Sequence, residues 1–551
     1  MNFNNNFKLL TLVAALQISF ISCSYAAGFT VPSGTTETNK QTLSNLDLGT
    51  VEAGGTLTTS GSKDAVEVGN GVSTLVNDGF ISQTGTGNAI KTTSATPIFI
   101  LENRGIISAV GWSTIKLDVN GTYILSNSGQ ITQTGTSGFG IDVEDKTPHV
   151  IINNAVGGLI DTQGGGDSAV IRFDRKAGSF TLNNQGTIWQ RNEGGGTSDT
   201  TSRAVIADKN YDTTGNTVIN GSETNSLAVI RADSNDAIRL GTNVTLLNYG
   251  SIYSTGMVNT SSAGDADQYL FGISSADFSA SDGVAIQDKR SNVAILNYGN
   301  ITGPRHGVDG GVPVTVSSHL TDLASASLLG SHEQLMAAPL LSITATGPNG
   351  VVFDKHLDGV TTSDVTIANP VIINYAGGTI TGKNGSGIGL DGYGVVINHG
   401  NISGNYVGEG NVYSHQVNSP TVTINGQTIT TNTNSNGDGD GVDIDGVAYI
   451  YNAGSIRGTG AGGYDSGGRP NGADGIAAGG GVIINKAGAE IYGQSTGILL
   501  DDGANGTITN NPATARDTGS TTGATARIYN EGSIIGERKT AIGLVGDYAD
   551  L

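Results

Sequence analysis

Cysteine is almost missing from this 551-residue chain; the one present, Cys23, lies inside an apolar N-terminal stretch. A body without cysteine excludes disulfide frameworks, cysteine-ligated zinc and a thiol nucleophile. Charged residues are only 14% and aromatics 6%, against the quarter of charged residues usual in soluble domains. Basic residues are the scarcer sign, 27 Lys and Arg against 48 Asp and Glu, for a formal net charge of −21. Such a surface repels nucleic acid, so no nucleic-acid partner is expected. It keeps an apolar-cored body soluble and can draw divalent cations. Past the N-terminus no stretch reaches the ~18 unbroken apolar residues of a membrane-spanning helix.

The N-terminus reads as an export signal. Lys8 supplies a weak positive start, Leu9 to Ile21 has the length of a signal-peptide core, and Ser24-Tyr25-Ala26 is a small-x-small site. Cleavage is expected between Ala26 and Ala27, making 1–26 a signal peptide and 27–551 the mature body. Phe20-Ile21-Ser22-Cys23 is faintly like a lipoprotein cleavage box but lacks its leucine.

What is abundant is glycine, 85 residues, with Asn, Ser and Thr throughout. These recur in one phrase: two apolar residues, Asn, any residue, Gly, any residue, Ile. Copies centre on Asn77, Asn103, Asn127, Asn184, Asn248, Asn297, Asn398, Asn452 and Asn530, with longer versions from Asn154, Asn374 and Asn485. A second phrase follows, a small residue then Ile or Val, as at Ala89-Ile90, Gly140-Ile141 and Gly497-Ile498. Early Asn-to-Asn spacings are about 24 to 27 residues. The period within each phrase is that of a strand. A unit this short cannot bury its own apolar face, but stacked units share one core. The expected fold is all-β, a right-handed parallel β-helix of roughly 20 coils at ~4.8 Å each, about 100 Å long. Asn is expected to turn left-handed at the strand end, with its amide bonded to the Asn of the coil below, and Gly to supply a second unusual dihedral.

Four stretches leave the pattern and are expected as insertions, near 187–235, 263–280, 313–348 and 419–436. Leu320 to Ala338 has loosely helical spacing and is the one expected short helix. Ser419 to Asn436 reads as a hairpin or side loop.

No motif makes a convincing catalytic centre, and the chain is read as a non-enzyme. Asp438, Asp440, Asp443 and Asp445 alternate in "DGDGVDID" and form a weak calcium candidate, since calcium takes about six to eight oxygens; no other cofactor is expected. Asp501, Asp502, Arg305 and His306 are superficial candidates for a polysaccharide-acting β-helix enzyme, but the motif contexts of polygalacturonases are missing. Gly493 to Gly497 matches the bare Gly-x-Ser-x-Gly string around Ser495, with a strand rather than a helix after it. Gly377 to Lys383 has Walker-like spacing, but Asn384 stands where Ser or Thr would hold magnesium.

"LNYGSI", "LNYGNI", "INHGNIS", "YNAGSIRG", "YNEGSI" and "GDGDGVDIDG" resemble the passenger region of bacterial type V autotransporters, over about residues 40 to 545. The resemblance implies export through an outer-membrane translocation barrel, then surface display or release. The implied role is adhesion, aggregation or host interaction. The implied partners are host-cell or bacterial surface components, with self-association also open. The family's C-terminal barrel is not in the sequence, so a passenger fragment, a truncated product or a free secreted rod is expected. A structural spacer and a polysaccharide-acting enzyme are the alternatives.

Overall fold

The computed structural model describes residues 26–255, 282–310, 370–406, 439–461, 472–500 and 526–544. Short breaks fall at 95–96, 137, 145–147, 164–168, 175–177, 192–201, 214, 288–289, 291, 391–393 and 445–447, and four short strands are described outside these spans. The fold is a parallel β-helix. Its three parallel sheets each run through fifteen strands, and the chain visits them in strict rotation. One coil is Pro97–Asn103 in the first sheet, Ile106–Ala109 in the second and Ser113–Leu117 in the third. The next coil lies on it in register, Asn103 opposite Asn127 and Ile107 opposite Ile131. Among the described residues there is no helix, and none long and apolar enough to cross a membrane.

Alternation sets which side chains enter the prism. In Thr122–Asn127 every second residue is buried: Tyr123, Leu125 and Asn127. The Ile that closes each repeat phrase becomes one buried row of the second sheet. Ile81, Ile107, Ile131, Ile160, Ile188, Ile230, Ile252, Ile301, Ile380, Ile402, Ile456 and Ile491 are at most 1% exposed. Burying one such side chain is worth about 1.5–3 kcal/mol, and each gains most of that only from the coils above and below.

The Asn column is continuous. From Asn77, Nδ2 donates to the Oδ1 of the next Asn through Asn103, Asn127, Asn154, Asn184, Asn220, Asn248, Asn297, Asn374, Asn398, Asn452, Asn485 and Asn530, at 2.7–2.9 Å. The same amides reach backbone carbonyls of the next coil, as Asn297 does to Thr379 at 3.0 Å. The expected left-handed turn is not how this works. Among the described residues the left-handed non-glycine ones are Leu46, Asn243 and Asn292, and the ladder asparagines keep extended backbone and point inward. Glycine follows for a different reason as well. A Cβ on Gly105 would overlap the carbonyl oxygen of Gly79 in the coil beneath, and one on Gly299 that of Gly250. Left-handed glycines near the ladder belong to the longer turns, at Gly157, Gly221, Gly377 and Gly488.

Among the described residues fifteen coils replace the roughly 20 expected, a stack of about 70 Å rather than 100 Å. The difference is chain spent between strands, chiefly at 256–281, 311–370, 407–438 and 501–525. The 187–235 stretch, expected as an insertion, supplies ladder strands Thr187–Gln190, Val205–Asn210, Asn216–Asn220 and Val229–Ala232; 192–201 lies outside the described residues. The 419–436 stretch contains an antiparallel hairpin, Thr421–Ile424 with Gln427–Thr430. The stretch 263–280 and the helix expected at Leu320 to Ala338 lie outside the described residues. Near the latter, Ile343–Ala345 pairs antiparallel with Val351–Phe353. The expected cleavage point between Ala26 and Ala27 falls at the start of the first strand, Ala26–Val31.

Candidate functional site

Several residues singled out for chemistry meet at one corner of the prism, where the chain turns from the second sheet to the third. The turn ends in a polar residue followed by Gly or Ala and then the inward Val or Ile. Successive coils place Asp236, Asp282, His306, Ser386, Asp440, Asp474 and Thr496 here, all less than 9% exposed. Each side chain can accept a hydrogen bond from the amide of its counterpart one coil on. Asp282 donates to Asp236 Oδ1 at 3.1 Å, His306 to Asp282 Oδ1 at 3.0 Å and Ser386 to His306 Nδ1 at 2.8 Å. Thr496 donates to Asp474 Oδ1 at 2.6 Å, and Asp474 to Asp440 Oδ1. The first coils repeat the device, Asn88 donating to Asp64 Oδ1 at 2.7 Å. This is a second ladder, of side chain to backbone, and it satisfies amides that the corner would otherwise bury unpaired.

Arginines neutralise two of the buried carboxylates, those of Asp236 and Asp282. Arg203 Nε lies 2.8 Å from Asp236 Oδ2. Arg305 donates to both carboxylate oxygens of Asp282, Nε to Oδ1 at 3.1 Å and Nη2 to Oδ2 at 2.9 Å, and reaches Asp309 at 2.9 Å. The His306 ring lies beside Gly389, where a Cβ would meet it at 3.2 Å. Its Nδ1 accepts from Ser386, so the proton sits on Nε2, 4.0 Å from Asp309. Burial first, and then the Arg305 charge, hold this imidazole well below its usual range. A histidine kept neutral and used as a backbone acceptor is a structural part of the corner. Burial likewise raises the Asp474 carboxyl.

The remaining candidates are dispersed. Asp440 is turned into the corner, whereas Asp443 faces outward from Val442–Ile444; Asp438 and Asp445 lie outside the described residues. Among the described residues no three His, Cys, Asp or Glu side chains stand close enough to share a metal ion. Asp501 and Asp502 also lie outside the described residues. Ser495 is buried in a turn between the strands Glu490–Gly493 and Ile498–Leu500, its amide donating to Ala473 O at 2.8 Å. That strand-to-strand context is not a nucleophile elbow. Gly377 to Lys383 enters the strand Thr379–Gly382 with no helix to follow, so it forms no phosphate loop.

Comparison with family models, with curated proteins and with solved structures finds no match.

The arrangement of the breaks remains. The corner carrying the Asn ladder crosses from first to second sheet in two to four residues in every described coil but one, where 221–228 intervene. The longer breaks stand at the other two corners. Those at 192–201, 256–281, 407–438 and 462–471 fall between second and third sheets; 311–370 and 501–525 fall between third and first. On the smooth corner the variable position of Asn-x-Gly forms its own stack. Tyr249 and Tyr298 stack with ring centroids 4.7 Å apart and Tyr298 and Tyr375 with centroids 3.9 Å apart, their planes nearly parallel. Both faces of the middle ring, Tyr298, are occupied by its neighbours.

Sequence reasoning found the Asn ladder and missed the second one. Its signal was in view as Asp282-Gly283-Val284, Asp440-Gly441-Val442 and Asp474-Gly475-Ile476, but the acceptor varies in type from coil to coil.

Proposed function

We propose that this chain is a secreted or surface-displayed rod of the autotransporter-passenger kind, non-catalytic, acting in adhesion, aggregation or host interaction through segments spliced between its coils. The observation that carries the reading is the grouping of the long breaks on two of three corners of an otherwise uniform prism. Solenoids that bind tend to gather insertions on one face, while the coils act as a rigid ruler. Within the described coils His306 is held as a corner-ladder acceptor and Arg305 is paired with buried Asp282, which weighs against catalysis on them. Partners on this reading are host-cell or bacterial surface components, met after export across an outer membrane. The acidic surface disfavours nucleic acid.

The test is a pair of deletions, 407–438 and Pro313 to Pro348, each replaced by a short turn and displayed on a cell surface. Loss of cell adhesion or aggregation in either, with the β-sheet spectrum retained, supports the reading. Full adhesion after both deletions contradicts it and favours a spacer.

A further inference from the structure

The Asn-x-Gly corner turns a sequence repeat into a stack of side chains. Tyr249, Tyr298 and Tyr375 each follow a ladder asparagine, on successive strands of the first sheet. Each backbone is pinned to the coil beneath: the Tyr298 amide donates to Asn248 O at 2.7 Å and the Tyr375 amide to Asn297 O at 2.8 Å. The three rings therefore leave the rod from equivalent points. Tyr298 and Tyr375 have centroids 3.9 Å apart and planes 4° from parallel, while Tyr249 lies at 4.7 Å and 9° from Tyr298. Free aromatic pairs favour offset or edge-to-face contact, so an overlap this close is imposed by the ladder. The phenols are joined as well. Burial, and then a hydrogen bond with Tyr375, hold the Tyr298 hydroxyl well above the usual tyrosine range. With hydroxyls linked and rings parallel, the carbons ortho to each oxygen are brought against one another. Tyr298 is 37% exposed and Tyr375 partly so, which leaves the pair within reach of a soluble oxidant.

We propose that Tyr298 and Tyr375 form an oxidative cross-linking site, at which hydrogen peroxide and a peroxidase join two neighbouring coils through a dityrosine bond. Each phenol gives up one hydrogen atom to the oxidant, leaving a tyrosyl radical with spin on its ortho carbons. The two radicals pair into one carbon–carbon bond between those carbons. The hydrogens displaced there move to the phenol oxygens, and both rings become aromatic again. Two tyrosines and one peroxide thus give one dityrosine and two waters. Contact replaces a chance encounter between radicals by a step within one molecule. Past Cys23 the sequence has no cysteine with which to make a disulfide, and this bond does equivalent work. It ties residues as far apart in sequence as the ladder rung Asn297 to Asn374, a separation of 77, and closing a long loop restricts the unfolded chain. The inference concerns the chemistry of the rod itself and does not require an adhesive function.

Peptide mapping tests it. The full chain, dilute enough to be monomeric, is treated with a haem peroxidase and one equivalent of hydrogen peroxide, digested with trypsin and read by mass spectrometry. Cleavage after Arg290, Arg305, Lys355 and Lys383 places Tyr298 in peptide 291–305 and Tyr375 in peptide 356–383. The two should appear linked and short of two hydrogens, at least about tenfold more abundant than any other linked pair among the 17 tyrosines. The yield should not change on further dilution. Tyr298→Phe and Tyr375→Phe, which keep a ring in the stack, should each abolish this product, and Tyr253→Phe should leave it intact. The linked chain should unfold at a higher denaturant concentration than the untreated one. A native chain that forms no dityrosine, or that links its tyrosines without preference or only between molecules, overturns the proposal. So does a urea-unfolded chain that gives the same linked pair in equal yield.

Discussion

At the scale of single residues, what matters is whether a side chain serves its own coil or the next one. Asn297 accepts from Asn248 at 2.8 Å and donates to Asn374 at 2.8 Å, so Asn297→Ala strips one donor and one acceptor from buried neighbours. Leaving such groups unpaired costs about 1–3 kcal/mol. The expected result is faster hydrogen exchange in the coils of Asn248 and Asn374 and a lower unfolding midpoint; exchange unchanged in both coils would show the ladder to be energetically idle. Gly299→Ala, which drives a Cβ into the Gly250 carbonyl, should destabilise comparably although it removes no contact. His306 gives a pH signature. The unfolded chain takes up a proton near pH 6.5 that the buried ring refuses, so the folded state is favoured above that pH. As pH drops below it, stability falls by about 1.4 kcal/mol per unit. Burial first, and then the neighbouring Arg305 charge, oppose its protonation. His306→Gln should lessen the drop in thermal midpoint between pH 7 and pH 5, and an identical drop would assign it elsewhere.

At the scale of elements, the coil is the unit that can be removed. Deleting 98–121 joins Pro97 to Thr122, residues already consecutive in register terms because Ile98 lies opposite Thr122. Asn77 would then meet Asn127, and the ladder would close with one rung fewer. This variant should keep its β-sheet spectrum per residue, whereas deleting 98–109 alone should abolish cooperative unfolding because it removes two sides of a three-sided coil. Equal behaviour of the two would refute the three-strand coil. The same unit explains what was legible beforehand. Asn and Ile recur because only an amide of one length bridges the coils and only a branched apolar side chain fills the second-sheet row. Asn220 escaped notice because Gly221 follows it directly and the turn runs on through Ser222 to Asn225 before the strand resumes. The corner ladder escaped because Asp, His, Ser and Thr all meet its one requirement, an acceptor within reach of the next amide. The coil count came out high because sequence length does not distinguish chain inside the prism from chain spliced into a corner.

At the scale of the whole molecule, parallel stacking makes each coil depend on its neighbours and leaves corners free to vary. An acidic surface, a uniform core and insertions at two corners suit a long display scaffold. Stability should accumulate coil by coil, so destabilising changes will act locally and leave distant coils protected. The claim beneath all of this is that coils far apart in sequence are stacked at a fixed rise. Ser128 and Ala453 both follow ladder asparagines, in the coils of Thr122–Asn127 and Ala448–Asn452, eight steps apart in the first-sheet order. Spin labels on Ser128→Cys and Ala453→Cys should show one narrow distance near 38 Å, and moving the second label to His399 should shorten it by about 4.8 Å. A broad distribution, or a distance that does not shorten with that move, would contradict the stacked-coil account.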